Sequence, residues 1–307
     1  MTLARLALLL SASGCVLGPS PQVATLSTHG DYCATQHPIA DVDAPPDAEL
    51  APAPEANKRG FSPRAIDTAR AIGAVKLLER LAKGESDKLV EEDIIDLRAQ
   101  LIDAIQMAQL DLASTSAELE CEQERATQVA AALRTAEAQQ TRNITTDSLI
   151  VTAAAAIGAG LLSITDKDPT PSAIVGIGGG GLGGGLGLAT LAVHRTLEFT
   201  HKRNVLGELW AGQSHPDFPQ SVWTYLTRKE FSDGERARRD WLLSAWKDAE
   251  RFTDKPNDPQ RTLLFGNGGR YDADGLEDRA AMLDELEATV SLMNHELQHL
   301  ATEASQR

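Results

Sequence analysis

The stretch from Ser148 to Val193 constrains this chain more than any other. It reads SLIVTAAAAIGAGLLSI, then TDKDPTP, then SAIVGIGGGGLGGGLGLATLAV. Neither apolar run contains a charged residue. The first, Ser148–Ile164, is about as long as the shortest membrane-spanning helices, and the second, Ser172–Val193, fits the usual span of roughly 20 residues. Asp166-Lys167-Asp168-Pro169-Thr170-Pro171 makes the turn between them, because proline stops one helix and can open the next. In the return arm, glycines recur at Gly176, Gly180 and Gly184, and again at Gly179, Gly183 and Gly187. Glycine in an aqueous helix costs roughly 1 kcal/mol against alanine, so this load needs a packing reason. In lipid, small-residue rows let helix backbones approach and associate. The expected helix–helix interface is therefore this double glycine row.

Charge narrows the partners. The chain has 307 residues with 44 acidic and 29 basic ones, a formal net charge of -15. A nucleic-acid surface needs clustered positive charge, so nucleic acid is excluded as an expected partner. Electrostatic adhesion to anionic lipid is disfavoured too, which leaves hydrophobic or covalent attachment to membrane lipid. Aromatic content is only 4%, and all four tryptophans, Trp210, Trp223, Trp241 and Trp246, come after the glycine-rich run. An aromatic core therefore belongs to the C-terminal part.

The N-terminus, MTLARLALLLSASGC, has one basic residue, a short apolar stretch and then small residues, the order of a secretory signal peptide. Ala12-Ser13-Gly14-Cys15 resembles the lipobox of bacterial lipoproteins, with Ala12 where that family usually carries an aliphatic residue. The resemblance implies that Cys15 is lipidated and becomes the mature N-terminus. Val16, not aspartate, comes next, which in that family implies sorting to the outer membrane, facing the periplasm. Residues 15–61, with Pro45-Pro46 and Pro52-Ala53-Pro54, then read as a lipidated start and an unpacked Pro/Ala tether. With Cys15 consumed, Cys33 and Cys121 are a pair that can form a disulfide in an oxidising compartment.

Residues 62–147 read as a helical stalk. Ser62-Pro63 is a helix start, and Ile66, Ala69, Ile72, Leu77 and Leu81 keep an apolar stripe as far as Lys83-Gly84. A longer helix begins within Ser86–Asp93. Its steps of three and four run through Leu101, Ile105, Ala108, Leu112, Thr115, Leu119, Ala126, Val129, Leu133 and Ala136, interrupted by Glu122. No proline falls between Pro63 and Pro169, so the helix is predicted to continue into the first apolar arm. Residues 194–307 read as a helical body. Thr196–Gly212 is predicted helical, Phe218-Pro219 opens another element, and Ser232-Asp233-Gly234-Glu235 forms a capping box. Asp254–Gly275 reads as a loop, and a last helix carries Leu276, Leu283, Leu286, Val290, Met293, Leu297 and Leu300. Asp274 to Glu277 is its expected cap.

The one string with catalytic spacing is His295-Glu296-Leu297-Gln298-His299. In zinc metalloproteases H-E-x-x-H places two histidine ligands on one helix face with glutamate as general base. Only eight residues remain after it, and Glu303, the sole acid among them, is closer than the third ligand of the familiar families. Asp272-Ala273-Asp274-Gly275 lacks the remaining ligands of a calcium loop. The glycines at 178–187 lack the Lys-Ser/Thr of a phosphate loop.

The expected molecule is all-α: a long helical or coiled-coil bundle with an apolar, glycine-rich helical hairpin. Its parts are a signal peptide (1–14), tether (15–61), stalk (62–147), hairpin (148–193) and body (194–307). The return arm resembles the glycine-zipper segments of membrane-inserting bacterial envelope proteins. That resemblance implies membrane insertion and homo-oligomerisation, in a structural, scaffold or channel-forming role without a cofactor. A zinc hydrolase centred on His295, Glu296 and His299 is the competing class, and in outline the chain is also similar to helical pore-forming proteins. The flanking charges, with Arg142 before the hairpin and Arg195, Lys202 and Arg203 after it, favour a cytoplasmic body by the positive-inside rule. A cleaved, lipidated N-terminus requires a periplasmic one.

Overall fold

The computed structural model describes Cys33, residues 53–84, 90–165 and 195–306, apart from 202, 213–217, 233 and 256, with the side chains of the long helix described as far as Arg142. Described residues are mostly helical. α1 (Pro54–Lys58), α2 (Pro63–Ala71) and α3 (Val75–Gly84) lead into α4 (Glu91–Thr165), a single helix of 75 residues. At 1.5 Å per residue it is about 110 Å long. Glu91, Glu92 and Asp93 in its first turn suit the positive end of the helix dipole. Helix therefore continues from the stalk into the first apolar arm, as the absence of proline predicts.

The C-terminal elements cover α4. After β1 (Leu197–Thr200) come α5 (Val205–Ala211), α6 (Gln220–Thr227), a 3-10 turn at Lys229–Phe231, α7 (Arg238–Asp248), α8 (Pro259–Phe265), β2 (Gly268–Tyr271), α9 (Ala273–Ser291) and α10 (Met293–Gln306). α9 lies antiparallel along α4. Ser116 meets Ser291 at 3.3 Å, Gln123 donates to Asp284 at 3.1 Å, and Arg134 Nε donates to Glu277 at 3.1 Å. The α4 seam from Leu101 to Leu133 is buried at every predicted position, including Thr115, and Ala136 is half-buried. Leu276, Leu283, Leu286, Val290, Met293, Leu297 and Leu300 are buried as well. Burying a Leu or Val side chain contributes about 1.5–3 kcal/mol, so this double row is the main source of cohesion.

Several local expectations are corrected. The last nine positions of the supposed tether, 53–61, are packed: Ala53, Ala56 and Phe61 are buried, and Glu79 of α3 accepts the Glu55 and Ala56 N–H groups at 3.3 and 3.1 Å. That carboxylate satisfies amides a short helix start leaves open. Ser62 does cap α2, its Oγ accepting from Ala65 N at 3.1 Å, but the helix stops at Ala71. Gly73, at φ +71°, turns the chain before α3. The predicted capping box at 232–235 does not open the helix, because α7 starts at Arg238 behind Ala237, which has no capping side chain. Asp272, two residues before the expected cap, closes the start of α9 through Gly275 N at 2.8 Å. The final stripe is broken at Leu292 into α9 and α10.

The fold is not purely helical. Leu197–Thr200, expected within a helix, pairs antiparallel with Gly268–Tyr271, expected within a loop. Leu-Glu-Phe-Thr has the aromatic and β-branched character of a strand, and only Phe199 is fully buried. Its partner needs glycine: a Cβ on Gly268 would stand 2.2 Å from the Phe199 carbonyl oxygen. The same supposed loop also holds α8, capped by Asp258, whose Oδ1 accepts from Gln260 N at 2.9 Å. The aromatic residues gather in this C-terminal part, with Trp246 fully buried and Trp210 stacked on Phe265 at 4.8 Å between centroids.

Cys33 and Cys121 are joined by a disulfide, with Cα atoms 5.5 Å apart. The bond closes a loop spanning 88 residues that contains α1 to α3. Constraining the unfolded chain this way stabilises typically by about 2–4 kcal/mol. Cys121→Ser should lower the urea unfolding free energy by about that amount. Added reductant should produce the same loss in the wild type and none in the variant.

Candidate functional site

Among the described residues no catalytic constellation organises this molecule; the feature that does is the place where α4 runs out past the body and the chain is next described. α4 carries the chain outward past Arg142, and the chain re-enters at Arg195. Arg195 is fastened to α4 on arrival. Its backbone N–H donates to Glu137 Oε1 at 2.8 Å and its Nε donates to Gln140 Oε1 at 2.9 Å. One turn nearer the body, Arg134 pairs with Asp274 and with Glu277 of α9. These pairs are largely exposed and individually contribute little. What they establish is geometry: exit and return share one footing on α4.

Behind that footing lies a buried charged cluster. Arg125 of α4 donates to Glu122 at 2.7 Å, reaches the Thr200 carbonyl of β1 at 3.4 Å, and sets its guanidinium 4.2 Å over the Phe199 ring. Arg279 of α9 is fully buried; its Nη1 donates to Asn204 Oδ1 at 3.1 Å and to the Leu264 carbonyl at 3.3 Å. Glu122 lies 3.9 Å from its Nη2. Asn204 Nδ2 donates to the carbonyls of Leu264 and Gly266, pinning the end of α8 to the start of α5. Arg203 pairs with Glu118 at 3.2 Å. Three arginines thus tie α4, the strand pair, α8 and α9 together.

His201 belongs to the same cluster and is neutral. Tyr271 Oη donates to the Leu263 carbonyl at 2.6 Å, so it accepts from His201 Nε2 at 3.0 Å. Burial, helped by the Arg279 and Arg125 charges, pushes the imidazole down to about 2. Burial also pushes the Tyr271 phenol up to about 12. Neither group exchanges protons near neutrality, so the cluster is a fixed dipolar joint and not an acid–base pair.

The H-E-x-x-H string is placed with its polarity divided. His295 and His299 are exposed, and His299 Nδ1 lies 3.4 Å from Glu303. Glu296 faces inward, buried, and both its oxygens accept from the Arg64 guanidinium of α2. The residue that would serve as general base is thus committed to an ion pair joining α10 to α2. Among the described residues, no group of three or more His, Cys, Asp or Glu is arranged to hold a metal ion.

The other expected sites fall elsewhere. Cys15 and Gly176, Gly179, Gly180, Gly183, Gly184 and Gly187 lie outside the described residues. Among the described residues, no helix is long and apolar enough to cross a membrane. Sequence reasoning alone misses the arginine cluster, although two signals point at it. Glu122 and Arg125 interrupt the α4 seam, and Arg279 sits three residues after Leu276 and four before Leu283, squarely in the apolar stripe.

Two measurements test these assignments. His201 has its folded value below the ordinary 6.5, so the unfolded chain takes up a proton that the folded one refuses. Stability is therefore lost as pH falls through 6.5 towards about 2, with a limiting slope of about 1.4 kcal/mol per pH unit. Urea unfolding of His201→Gln between pH 6.5 and 5 should show a slope smaller by about one proton than the wild type. Arg64→Ala leaves Glu296 buried and unpaired, and should cost about 1–2 kcal/mol, the exposure of Arg64 moderating the loss. Glu296→Gln should cost less, as a neutral amide tolerates burial better.

Comparison with known proteins gives no relative: no family model, no curated protein and no solved structure matches this chain.

Proposed function

We propose that this chain is an envelope lipoprotein, anchored through Cys15, that carries its glycine-rich hairpin on a rigid arm to a membrane or to further copies of itself. The observation that carries the reading is the shared footing of exit and return. From Glu137, where Arg195 is bound, α4 continues as helix for 28 residues to Thr165, about 42 Å. The 29 residues from 166 to 194 must cover that distance back.

Two further points support it. The Cys33–Cys121 disulfide suits an oxidising compartment, which a secretory signal would reach. The net charge of -15 leaves lipid insertion or lipidation as the route to a membrane, because anionic headgroups repel the body. The role is structural: the hairpin provides the contact, the glycine rows the self-association, and the body the base.

The test has two arms. Fractionation of the native protein should place it with membranes and the Cys15→Ala variant in the soluble envelope fraction; recovery of both in the cytosol would overturn the reading. Gly180→Leu combined with Gly184→Leu should reduce the oligomer seen in detergent, since leucine holds the backbones apart. An unchanged oligomer would remove the glycine rows from the proposal.

A further inference from the structure

The outer face of α4 carries an exposed, mostly apolar row that no other described element covers. Ile95, Ala99, Ile102, Gln106, Leu110 and Ala113 succeed one another at steps of four, three, four, four and three residues, which sets them along one side of a helix. The opposite side holds the buried seam of Leu97, Leu101, Ala108 and Leu112. Ile95 and Leu110 remain 59% and 63% exposed, and Met107 beside them 59%. Scattered exposed aliphatics are ordinary, but a row of them along one helix face, broken only by Gln106, marks an interaction surface.

The margins of the row identify its complement. Glu91, Glu92, Asp96 and Asp103 line it, and Arg98 is the sole basic residue between Glu91 and Ala113. A second copy would bring two net-negative margins together. We propose that this face docks an amphipathic helix of another protein, with an apolar stripe flanked by lysine or arginine. From Ile95 to Ala113 the row is about 27 Å long, which takes five turns of a partner helix. Apolar contact supplies the affinity, and the acidic margins select against acidic helices. In sequence the row lies apart from the glycine rows, and its test does not depend on membrane insertion.

Calorimetric titration of the full chain with synthetic three-heptad peptides tests this. One peptide has leucine at the first and fourth heptad positions with lysine on the flanks; its twin has glutamate on the flanks. The lysine peptide should bind and the glutamate peptide should not. Ile102→Glu with Leu110→Glu should weaken binding by about tenfold or more. Asp96→Asn with Asp103→Asn, which leaves the apolar row intact, should weaken it by a few-fold and flatten its salt dependence. Equal binding of both peptides, or no change in the Ile102→Glu/Leu110→Glu variant, would overturn the proposal. So would light scattering that shows a wild-type oligomer reduced to monomer by that variant, because the occupant would then be a second copy.

Discussion

A helix as long as α4 depends on having its apolar side covered, and the rest of the described structure is arranged to cover it. Leu97 to Leu133 present one continuous row, and α9 and α10 return along it in the opposite direction. Nothing in a helix's own hydrogen bonds fixes where such a row meets its partner. The register is set by pairs such as Gln123 with Asp284 and Arg134 with Glu277, where a slip of one turn would separate every partner. Apolar burial supplies the cohesion, and these polar pairs choose one alignment among those that burial alone would accept.

The buried arginines extend that logic to the interior. A guanidinium stays charged at any pH a protein meets, so Arg279 has to bring acceptors inside with it. It takes them from Asn204, the α8 carbonyl end and, more distantly, Glu122. The cost of burying such a charge means that the cluster adds less to stability than its bond count suggests. Its contribution is definition: Arg125 reaches β1, Arg279 reaches α8, and a misplaced strand pair would take the Thr200 carbonyl away from Arg125. The Cys33–Cys121 bond has the corresponding role at the N-terminal side, fixing a distant segment to α4 covalently.

Long-period features are legible in the sequence, and most short ones are not. The α4 seam and the α9–α10 stripe repeat often enough for their spacing to stand out, and their buried positions agree with the predicted rows. Ser62-Pro63 is equally readable, since cap and proline act within a single turn. The strand pair escapes notice because four residues of Leu-Glu-Phe-Thr carry too few alternations to outweigh a helical surrounding. Gly268 reads as loop because its close approach to Phe199 exists only once β1 is beside it. For the same reason, His295-Glu296-Leu297-Gln298-His299 reads as metal-site spacing. Spacing fixes which residues share a face, but it does not say that Glu296 meets Arg64, 232 positions away.

These separate elements combine into one mechanical proposition. α4 continues as helix beyond Arg142, and where the chain is described again, at Arg195, it lies on that helix's own side chains, next to the buried cluster that locks α4 to β1, α8 and α9. The two-point attachment of Arg195 to Glu137 and Gln140 fixes where the chain rejoins α4. The footing cannot yield cheaply, because shifting β1 against α4 would strip Arg125 of the Thr200 carbonyl and of the Phe199 ring together.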